Sequence, residues 1–268
     1  MKQNVQQFIK KYGLFEDDSV QQIQLSHRFS LVEAFQIKEG MRILEIGCGQ
    51  GDTTMALADA VGKTGHVTAI DIANGNYGAP FTLAQMHEKI KQSNLGNQIT
   101  FHLETNYETF PTAQYDAIIL SHSSWYFQDI NVLKQYIKKM SHETSTILFA
   151  EWDLDFTQIE QRNHFIAVTM IALYSTFVKN DGNIQHVIGA STLKQWVEEV
   201  GFKVDQTLSV DATYLQDGLW ETYYAKEIAK SFETAPSTIQ QYIANLLQSL
   251  NTEQNTKSLN SFVLICKK

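Results

Sequence analysis

The stretch LEIGCGQGDTT, residues 44–54, joins an apolar segment to a helix through a turn with three glycines. The apolar run MRILEI, residues 41–46, is typical of a buried parallel strand. The next residues, Asp52 to Val61, have the pattern of a helix that Gly62 ends. Glycine lets the backbone adopt left-handed angles and approach a ligand closely, and the helix start offers free N–H groups beside it. The stretch therefore predicts a strand, a turn and a helix that together bind a ligand.

The spacing of the glycines narrows the class of ligand. Gly47, Gly49 and Gly51 form Gly-x-Gly-x-Gly, whereas dinucleotide-binding proteins carry Gly-x-Gly-x-x-Gly. Glu45 precedes the turn, and Asp71 ends a second predicted strand, HVTAID, 20 residues after Gly51. A carboxylate at that place can accept hydrogen bonds from both hydroxyls of a ribose. The spacing thus favours a ligand that contains a ribose over a nicotinamide dinucleotide.

Strands and helices alternate outward from this unit. Helices are predicted near 83–93 and 130–140, and the strands predicted around them are ITFHL (99–103), DAIIL (116–120) and STILFA (145–150). Because parallel strands need crossover connections, this alternation predicts a doubly wound α/β sheet. Two later runs, FKVDQTLSV (202–210) and SFVLIC (261–266), are predicted to be further strands.

Helical segments precede, interrupt and follow the predicted core. In one of them, Ser237 and Gln240 form a predicted capping box ahead of an apolar face. Because each such helix has an apolar face to bury, we expect these helices to pack together as a cap. The predicted organisation is an N-terminal helical cap segment (1–36), a ligand-binding core (37–155), a helical cap insertion (156–190), and completion of the core sheet (191–268) with an inserted helical pair (about 219–250).

Composition excludes several classes of protein. The 268 residues include 29 acidic and 21 basic side chains, a net charge of −8, which argues against nucleic acid because its partners usually need a basic face. Two cysteines, Cys48 and Cys266, are too few for a disulfide framework or a zinc site, and no metal site is predicted. There is no signal-peptide core, and the longest apolar stretch, 166–178, is too short to cross a bilayer. We therefore predict a soluble, cytoplasmic protein without a membrane or nucleic-acid partner.

The motif from Glu45 to Gly51, together with Asp71, resembles that of the class I S-adenosylmethionine-dependent methyltransferases over about residues 38–150. The resemblance implies a Rossmann-like, seven-stranded, mostly parallel sheet with an antiparallel last strand and a helical cap. It also implies S-adenosylmethionine as cofactor and S-adenosylhomocysteine as product. In that family the glycine turn contacts the methionine part, the acidic residue holds the ribose, and an apolar neighbour packs on adenine. The resemblance assigns these roles to Gly47, Cys48, Gly49, Gly51, Asp71 and Ile72, with Glu45 behind the turn or near the methionine amino group.

The family position that holds the adenine amino group departs from the usual pattern. Many members carry an acidic residue after the third strand, and here Thr105 aligns with it. Asn106 lies beside Thr105 and could serve adenine through its side-chain amide. Glu104 is the competing candidate.

The stretch LSHSSWYF, residues 120–127, follows the fourth strand, whose carboxyl end opens onto the ligand crevice in this fold. Ser121 and His122 should therefore lie near the sulfonium. His122 is the candidate general base for the acceptor, although it could instead hydrogen-bond the cofactor or the backbone. Methyl transfer can also proceed by positioning alone. The stretch lacks the Pro-Pro-Tyr and Pro-Cys elements of methyltransferases that act on nucleic-acid bases.

Aromatic residues cluster where an acceptor should bind. They are either the core of the cap or the lining of an apolar pocket. The predicted pocket residues are Trp125, Tyr126, Glu151, Trp152 and Tyr174. The loop 71–80, rich in glycine and asparagine, either covers the adenosine with Tyr77 or Pro80 or is an ordinary surface loop. From the N-terminal helices, Arg28 is the candidate by charge to reach the cofactor carboxylate.

Taken together, the sequence predicts a methyltransferase that acts on a small organic acceptor. Alternatives are an S-adenosylmethionine-binding protein with a non-methyl or regulatory role, and a methyltransferase of protein or nucleic acid. A nicotinamide-dependent oxidoreductase is disfavoured by the glycine spacing. A homodimer is compatible with these features, and the sequence names neither the acceptor nor the methylated atom.

Overall fold

A computed structural model describes residues 2–250 and 256–268, so Met1 and residues 251–255 of the predicted C-terminal unit lie outside it. In this part of the chain the strands are β1 (Arg42–Ile46), β2 (His66–Ile70), β3 (Ile99–His102), β4 (Ala117–Ser121), β5 (Thr146–Trp152), β6 (Lys203–Val210) and β7 (Ser261–Lys267). They form one sheet in the order β3-β2-β1-β4-β5-β7-β6. Pairs from β3 to β5 are parallel, and β7 is antiparallel to both β5 and β6. The predicted doubly wound sheet with an antiparallel last strand is confirmed.

The helices between and around the strands are α1 (Lys2–Tyr12), α2 (Ser19–Ala34), α3 (Asp52–Val61), α4 (Leu83–Gln92), α5 (Ile130–Glu143), α6 (Arg162–Phe177), α7 (Ala190–Glu199), α8 (Asp217–Ile228) and α9 (Ser237–Ser249). Among these residues, no helix has the length and apolar character that a membrane crossing requires.

Each face of the sheet has its own apolar core, because side chains alternate along a strand. Leu44 and Ile118 face one cluster, to which α5, α6, α7, α8 and α9 contribute. Ile43 and Ile119 face the other cluster, to which α1, α2, α3 and α4 contribute. The expectation of a single cap made from all the extra helices is therefore wrong. The apolar faces of α1 and α2 pack with α3 on one side of the sheet, whereas those of α6, α8 and α9 pack together on the other side. The polar ends of α2 and α8 meet, because Gln24 Nε2 donates to Asp217 Oδ2 at 2.8 Å.

The predicted capping box at Ser237 and Gln240 is also wrong. Pro236 occupies the N-cap position, so Ser237 is already the first helical residue and makes no capping bond. Gln240 Nε2 instead donates to Ala235 O at 2.9 Å. A capping box does occur at the start of α4, between Thr82 and Gln85.

The position of β7 shapes the edge of the sheet where parallel strands end. Because β7 runs the opposite way, its first residue, Ser261, pairs with the last residues of two neighbours, Trp152 of β5 and Val210 of β6. Residues far apart in sequence therefore meet at the carboxyl ends of β1, β2, β4 and β5, where this fold binds ligands.

Candidate active site

The glycine turn after β1 depends on left-handed backbone angles. The φ angles of Gly47, Gly49 and Gly51 are 78°, 52° and 95°. A Cβ atom on Gly47 would lie 2.5 Å from the Cβ of Ser123, so the turn packs tightly against the segment after β4. A Cβ on Gly49 would meet no described atom within 4 Å. Protein atoms therefore pack closely against the turn at Gly47, whereas the space next to Gly49 is open.

Asp71 joins the glycine turn directly. The Gly49 N–H donates to Asp71 Oδ2 at 2.8 Å, and the Ala73 N–H donates to Oδ1 at 2.8 Å. Two backbone bonds fix the carboxylate plane, while each oxygen keeps capacity to accept another hydrogen bond. Ile72 follows with 68% of its surface exposed, an apolar side chain beside a fixed carboxylate.

His87 supports the turn from α4 and was not found from the sequence. Its Nε2 lies 2.7 Å from Gly49 O, and its ring stacks on Phe101 with 3.8 Å between centroids. Burial lowers the pKa of His87, and a carbonyl can only accept, so the neutral ring donates from Nε2. Because His87 is 38 residues from Gly49, no local pattern indicates this bond.

Glu45 is buried next to the turn, and the partly buried Arg28 interacts with it electrostatically. Thr54 Oγ1 donates to Glu45 Oε2 at 2.5 Å. Burial raises the pKa of Glu45 to about 8, whereas the Thr54 bond and the charge of Arg28 oppose that rise. Arg28 Nε and Nη1 are buried, and among the described residues neither has a hydrogen-bond partner. Asp52, the first residue of α3, also feels the charge of Arg28, while burial raises its pKa.

The candidates for the adenine position differ in the atoms they still offer. Thr105 Oγ1 donates to Leu103 O at 2.9 Å. Asn106 Oδ1 already accepts from the Tyr136 hydroxyl and from the Glu108 N–H, each at 2.8 Å. Asn106 therefore keeps its NH₂ group for a ring nitrogen, whereas the exposed Glu104 and the Thr105 hydroxyl keep acceptor capacity.

His122 turns its ring toward protein groups. Its φ of 50° is left-handed, and its N–H donates to Ala150 O. Nε2 lies 2.9 Å from Ser261 Oγ. Nδ1 lies 3.2 Å from Glu151 Oε1, but the angle does not make a hydrogen bond. The neighbouring Ser121 Oγ accepts from Thr53 at 3.3 Å. Because both ring nitrogens of His122 face side chains, its role as general base stays a prediction.

Ser261 links His122 to the N-terminal helices. His27 Nε2, on α2, lies 3.0 Å from the same Ser261 Oγ that contacts His122. Burial lowers the pKa of His27 well below its usual value, so this ring is neutral. Because one hydroxyl carries one proton, Ser261 can donate to only one of the two rings and accepts from the other. The sequence offered no sign of Ser261.

The five predicted pocket residues separate into buried and accessible side chains. Trp125 is in the core and donates from Nε1 to Ile188 O at 3.0 Å. Trp152 is buried, and its ring is edge-on to those of His122 and His164. Glu151 is buried and accepts from Ser124 Oγ at 2.8 Å, and Tyr174 is half-buried. Tyr126 is 48% exposed, so it is the member of the set with most access to a ligand.

The loop after Asp71 is anchored to the glycine turn. Gln50 Nε2 donates to Phe81 O at 2.6 Å, and Leu83 N–H donates to Tyr77 O at 2.8 Å. Desolvation raises the pKa of Tyr77, and the charge of Asp71 adds to that rise. The loop thus closes beside the turn. A cavity of about 320 Å³ is lined by residues of 13–21 and by Phe81, Met86 and Lys89.

Another buried carboxylate, which the sequence did not indicate, belongs to α8. Glu221 of α8 is only 8% exposed, and its Oε2 lies 2.5 Å from His164 Nε2 of α6. Burial raises the pKa of the Tyr126 hydroxyl, and the negative charge of Glu221 adds to that rise. Among the described residues, no three His, Cys, Asp or Glu side chains are grouped to hold a metal ion.

Comparison with known proteins adds to this geometry. Residues 21–207 match a family described as "Methyltransferase domain". The chain is 35% identical over 107 residues to Methyltransferase phomM from Diaporthe leptostromiformis, which covers 32% of this chain and 28% of that protein. It is 29% identical over 171 residues to (S)-tetrahydroprotoberberine N-methyltransferase from Eschscholzia californica, covering 63% of this chain and 44% of that protein. The chain thus spans less than half the length of either relative.

Solved structures extend the likeness over the whole chain. A cyclopropane-fatty-acyl-phospholipid synthase-like protein from Lactobacillus casei ATCC 334 is 30% identical, with a TM-score of 0.89 and 100% of both chains covered. Coclaurine N-methyltransferase bound to N-methylheliamine and SAH is 15% identical, with a TM-score of 0.57 over 94% of this chain and 74% of that one. The second likeness concerns the fold alone.

Proposed function

The chain belongs to the methyltransferase-domain family, whose members use S-adenosylmethionine, and on this premise we propose that it transfers a methyl group from that cofactor to a small organic acceptor. One observation carries the proposal. The Gly49 N–H and the Asp71 carboxylate, the two parts of the cofactor motif, are joined at 2.8 Å beneath open space. A turn without side chains next to a fixed carboxylate suits a ligand that presents hydroxyl groups.

The residues present fit this cofactor along its length. We assign the methionine part to the backbone of Gly47, Cys48, Gly49 and Gly51, with Glu45 behind it. Asp71 keeps lone pairs for the ribose hydroxyls, and the exposed Ile72 offers an apolar surface for adenine. Arg28 keeps a positive charge and N–H donors at Nε and Nη1 without a hydrogen-bond partner among the described residues, which suits a carboxylate.

S-adenosylmethionine supplies a methyl group already activated on a sulfonium. The chain therefore needs to position the acceptor in line and exclude water. We assign Ser121, the last residue of β4, to the sulfonium and Tyr126, five residues later, to the acceptor side of the crevice. Thr105 and Asn106 are assigned to the adenine side. His122 is the candidate proton acceptor, in contact with Ser261 and close to Glu151.

Isothermal titration with S-adenosylmethionine tests the proposal. Asp71→Ala should weaken binding by roughly tenfold to a hundredfold, because hydrogen bonds to a charged group are lost. Asp205→Ala, at an exposed ion pair with Lys267, removes the same charge and should leave binding unchanged. Absence of binding by the wild type, or equal binding by both variants, would rule the proposal out. Binding without any S-adenosylhomocysteine formed in cell extracts would favour a regulatory binding protein.

A second candidate function is addition of the methyl carbon to an unsaturated fatty-acyl chain. It rests on the full-length likeness to the cyclopropane-fatty-acyl-phospholipid synthase-like protein. Incubation with labelled cofactor and vesicles of unsaturated phospholipid distinguishes the two. Label in the acyl chains supports this candidate, and label only in water-soluble products supports the small acceptor.

A further inference from the structure

The hydrogen bonds around His164 fix its tautomer. The Leu259 N–H donates to His164 Nδ1 at 2.7 Å, so Nδ1 must carry a lone pair. The ring proton is therefore on Nε2, which faces Glu221 Oε2 at 2.5 Å. A second proton on Nδ1 would point at the amide hydrogen of Leu259. His164 is thus held as a neutral donor to the carboxylate.

This arrangement leaves the charge of Glu221 uncompensated. Within the described residues His164 is its ion-pair contact, and that ring is neutral. Its other oxygen, Oε1, accepts no hydrogen bond from the described part of the protein, yet it is not sealed off from solvent. Because a buried carboxylate is costly unless it is paired, this site calls for a cation or a proton from outside the chain.

The surroundings of Glu221 are aromatic and acidic. Tyr126 is half-exposed as a residue, and burial of its hydroxyl raises the pKa of that group, with the charges of Glu151 and Glu221 adding to the rise. Tyr224 lies one helical turn after Glu221, on the same face of α8, and its hydroxyl is near Gly182. Aromatic rings beside a carboxylate favour ammonium groups over anions.

Resting on the proposed function, we propose that the acceptor is an amine whose protonated nitrogen binds Glu221 Oε1 between Tyr126 and Tyr224. His164 is the positioning residue, since it orients the carboxylate without touching the acceptor.

The proton and the electron pairs balance in two steps. First, Glu221 takes one proton from the ammonium and becomes a neutral acid, which leaves a neutral amine with a free lone pair. The nitrogen then attacks the methyl carbon, the carbon–sulfur bond breaks, and sulfur keeps its electron pair. The product amine carries the new methyl group and the positive charge, and S-adenosylhomocysteine leaves neutral at sulfur.

The test is titration of the full chain, saturated with S-adenosylhomocysteine, with 2-phenylethylamine and with 2-phenylethanol. The two probes have the same shape, but only the amine is charged at neutral pH. We expect the amine to bind about tenfold tighter or more, because a charge-assisted hydrogen bond is involved. Glu221→Gln should abolish this preference, and Glu227→Gln, an exposed change on the same helix, should keep it.

The His164 role has its own readout. His164→Gln retains an N–H donor of similar reach and should retain the amine preference, whereas His164→Leu should lose it even where both variants melt alike. An amine that binds no better than the alcohol, or a preference that survives Glu221→Gln, overturns the inference. A prior titration of each variant with S-adenosylhomocysteine alone reports separately on the proposed function, so the two can fail independently.

Discussion

The two sides of the crevice are built in different ways. On the cofactor side, the decisive contact joins Gly49 to Asp71, 22 residues apart and within one β–α–β unit. On the acceptor side, His164 meets Glu221 across 57 residues and Leu259 across 95. The first side depends on backbone geometry, which restricts the sequence to glycine at defined positions. The second depends on side chains brought together by packing, so many different sequences could build an acceptor site on the same scaffold. A change on the acceptor side should therefore alter which acceptor reacts, while cofactor binding persists.

The largest expected effect would decide which side holds the general base. Once an acceptor has been identified, Glu221→Gln should lower kcat about 10²- to 10⁴-fold if Glu221 removes the proton from the acceptor amine. His122→Gln should then leave most of the activity, because its nitrogens already contact Ser261 and approach Glu151. Single-turnover kinetics of both variants measure this. The reverse ranking would make His122, and not Glu221, the general base.

The pH dependence of protein stability tests the environment of Glu45, the buried glutamate on the cofactor side. Burial raises the pKa of Glu45 from 4.5 to about 8. Between these two pH values the Glu45 carboxyl group is therefore protonated in the folded state and ionised in the unfolded state. Its contribution is complete below about pH 4.5 and is lost as pH rises toward 8, by roughly a few kcal/mol. Urea unfolding across this pH range should show that the free energy of unfolding falls less for Glu45→Gln than for the wild type. Parallel curves would contradict the assignment.

Alanine substitutions at two glycines with positive φ distinguish the cost of backbone strain from the loss of space for the ligand. Gly49→Ala and Gly201→Ala both place a Cβ in open space at a positive φ, so each should cost about 1–2 kcal/mol of stability. Only Gly49→Ala should also weaken S-adenosylmethionine binding, because its methyl group occupies the ligand side of the turn. Thermal melts and titration measure the two effects. Equal cofactor affinity in both variants would mean that the open face of Gly49 is not the ligand face.

Removal of the Arg28 guanidinium should have the smallest effect. Arg28→Ala should weaken S-adenosylmethionine binding by about tenfold, since one charge-assisted contact is lost. Arg28→Lys should recover part of the lost affinity because lysine keeps the positive charge. The recovery should be incomplete because lysine lacks the planar guanidinium group. Arg42→Ala, an exposed arginine at the start of β1, is the control. A cofactor analogue without its carboxylate should bind wild type and Arg28→Ala alike.

The sequence predicted those features that depend on local rules. The parallel strands, the helix start at Asp52 and the place of Asp71 follow from periodicity, glycine spacing and crossover topology. The cap was wrong because an apolar helix face does not say which side of the sheet it covers. The capping box at Ser237 was wrong because Pro236 took the N-cap position. Glu221 and Ser261 could not be predicted, since neither lies in a motif and each gains its partners only through tertiary packing.

The inverted direction of β7 also has a consequence for the order of assembly. Ser261 contacts His27 and His122, yet it is synthesised 210 residues after Gly51. The strands β1 to β5 can pair while the chain is still on the ribosome, but β6 lacks its hydrogen-bonding neighbour until β7 arrives. We therefore expect a nascent chain to resist protease first over its cofactor side, and over α6 and α8 only after β7 has left the ribosome and paired. Methylation would then begin only once synthesis has passed β7. The acceptor site would therefore form only when β7 pairs with β5 and β6.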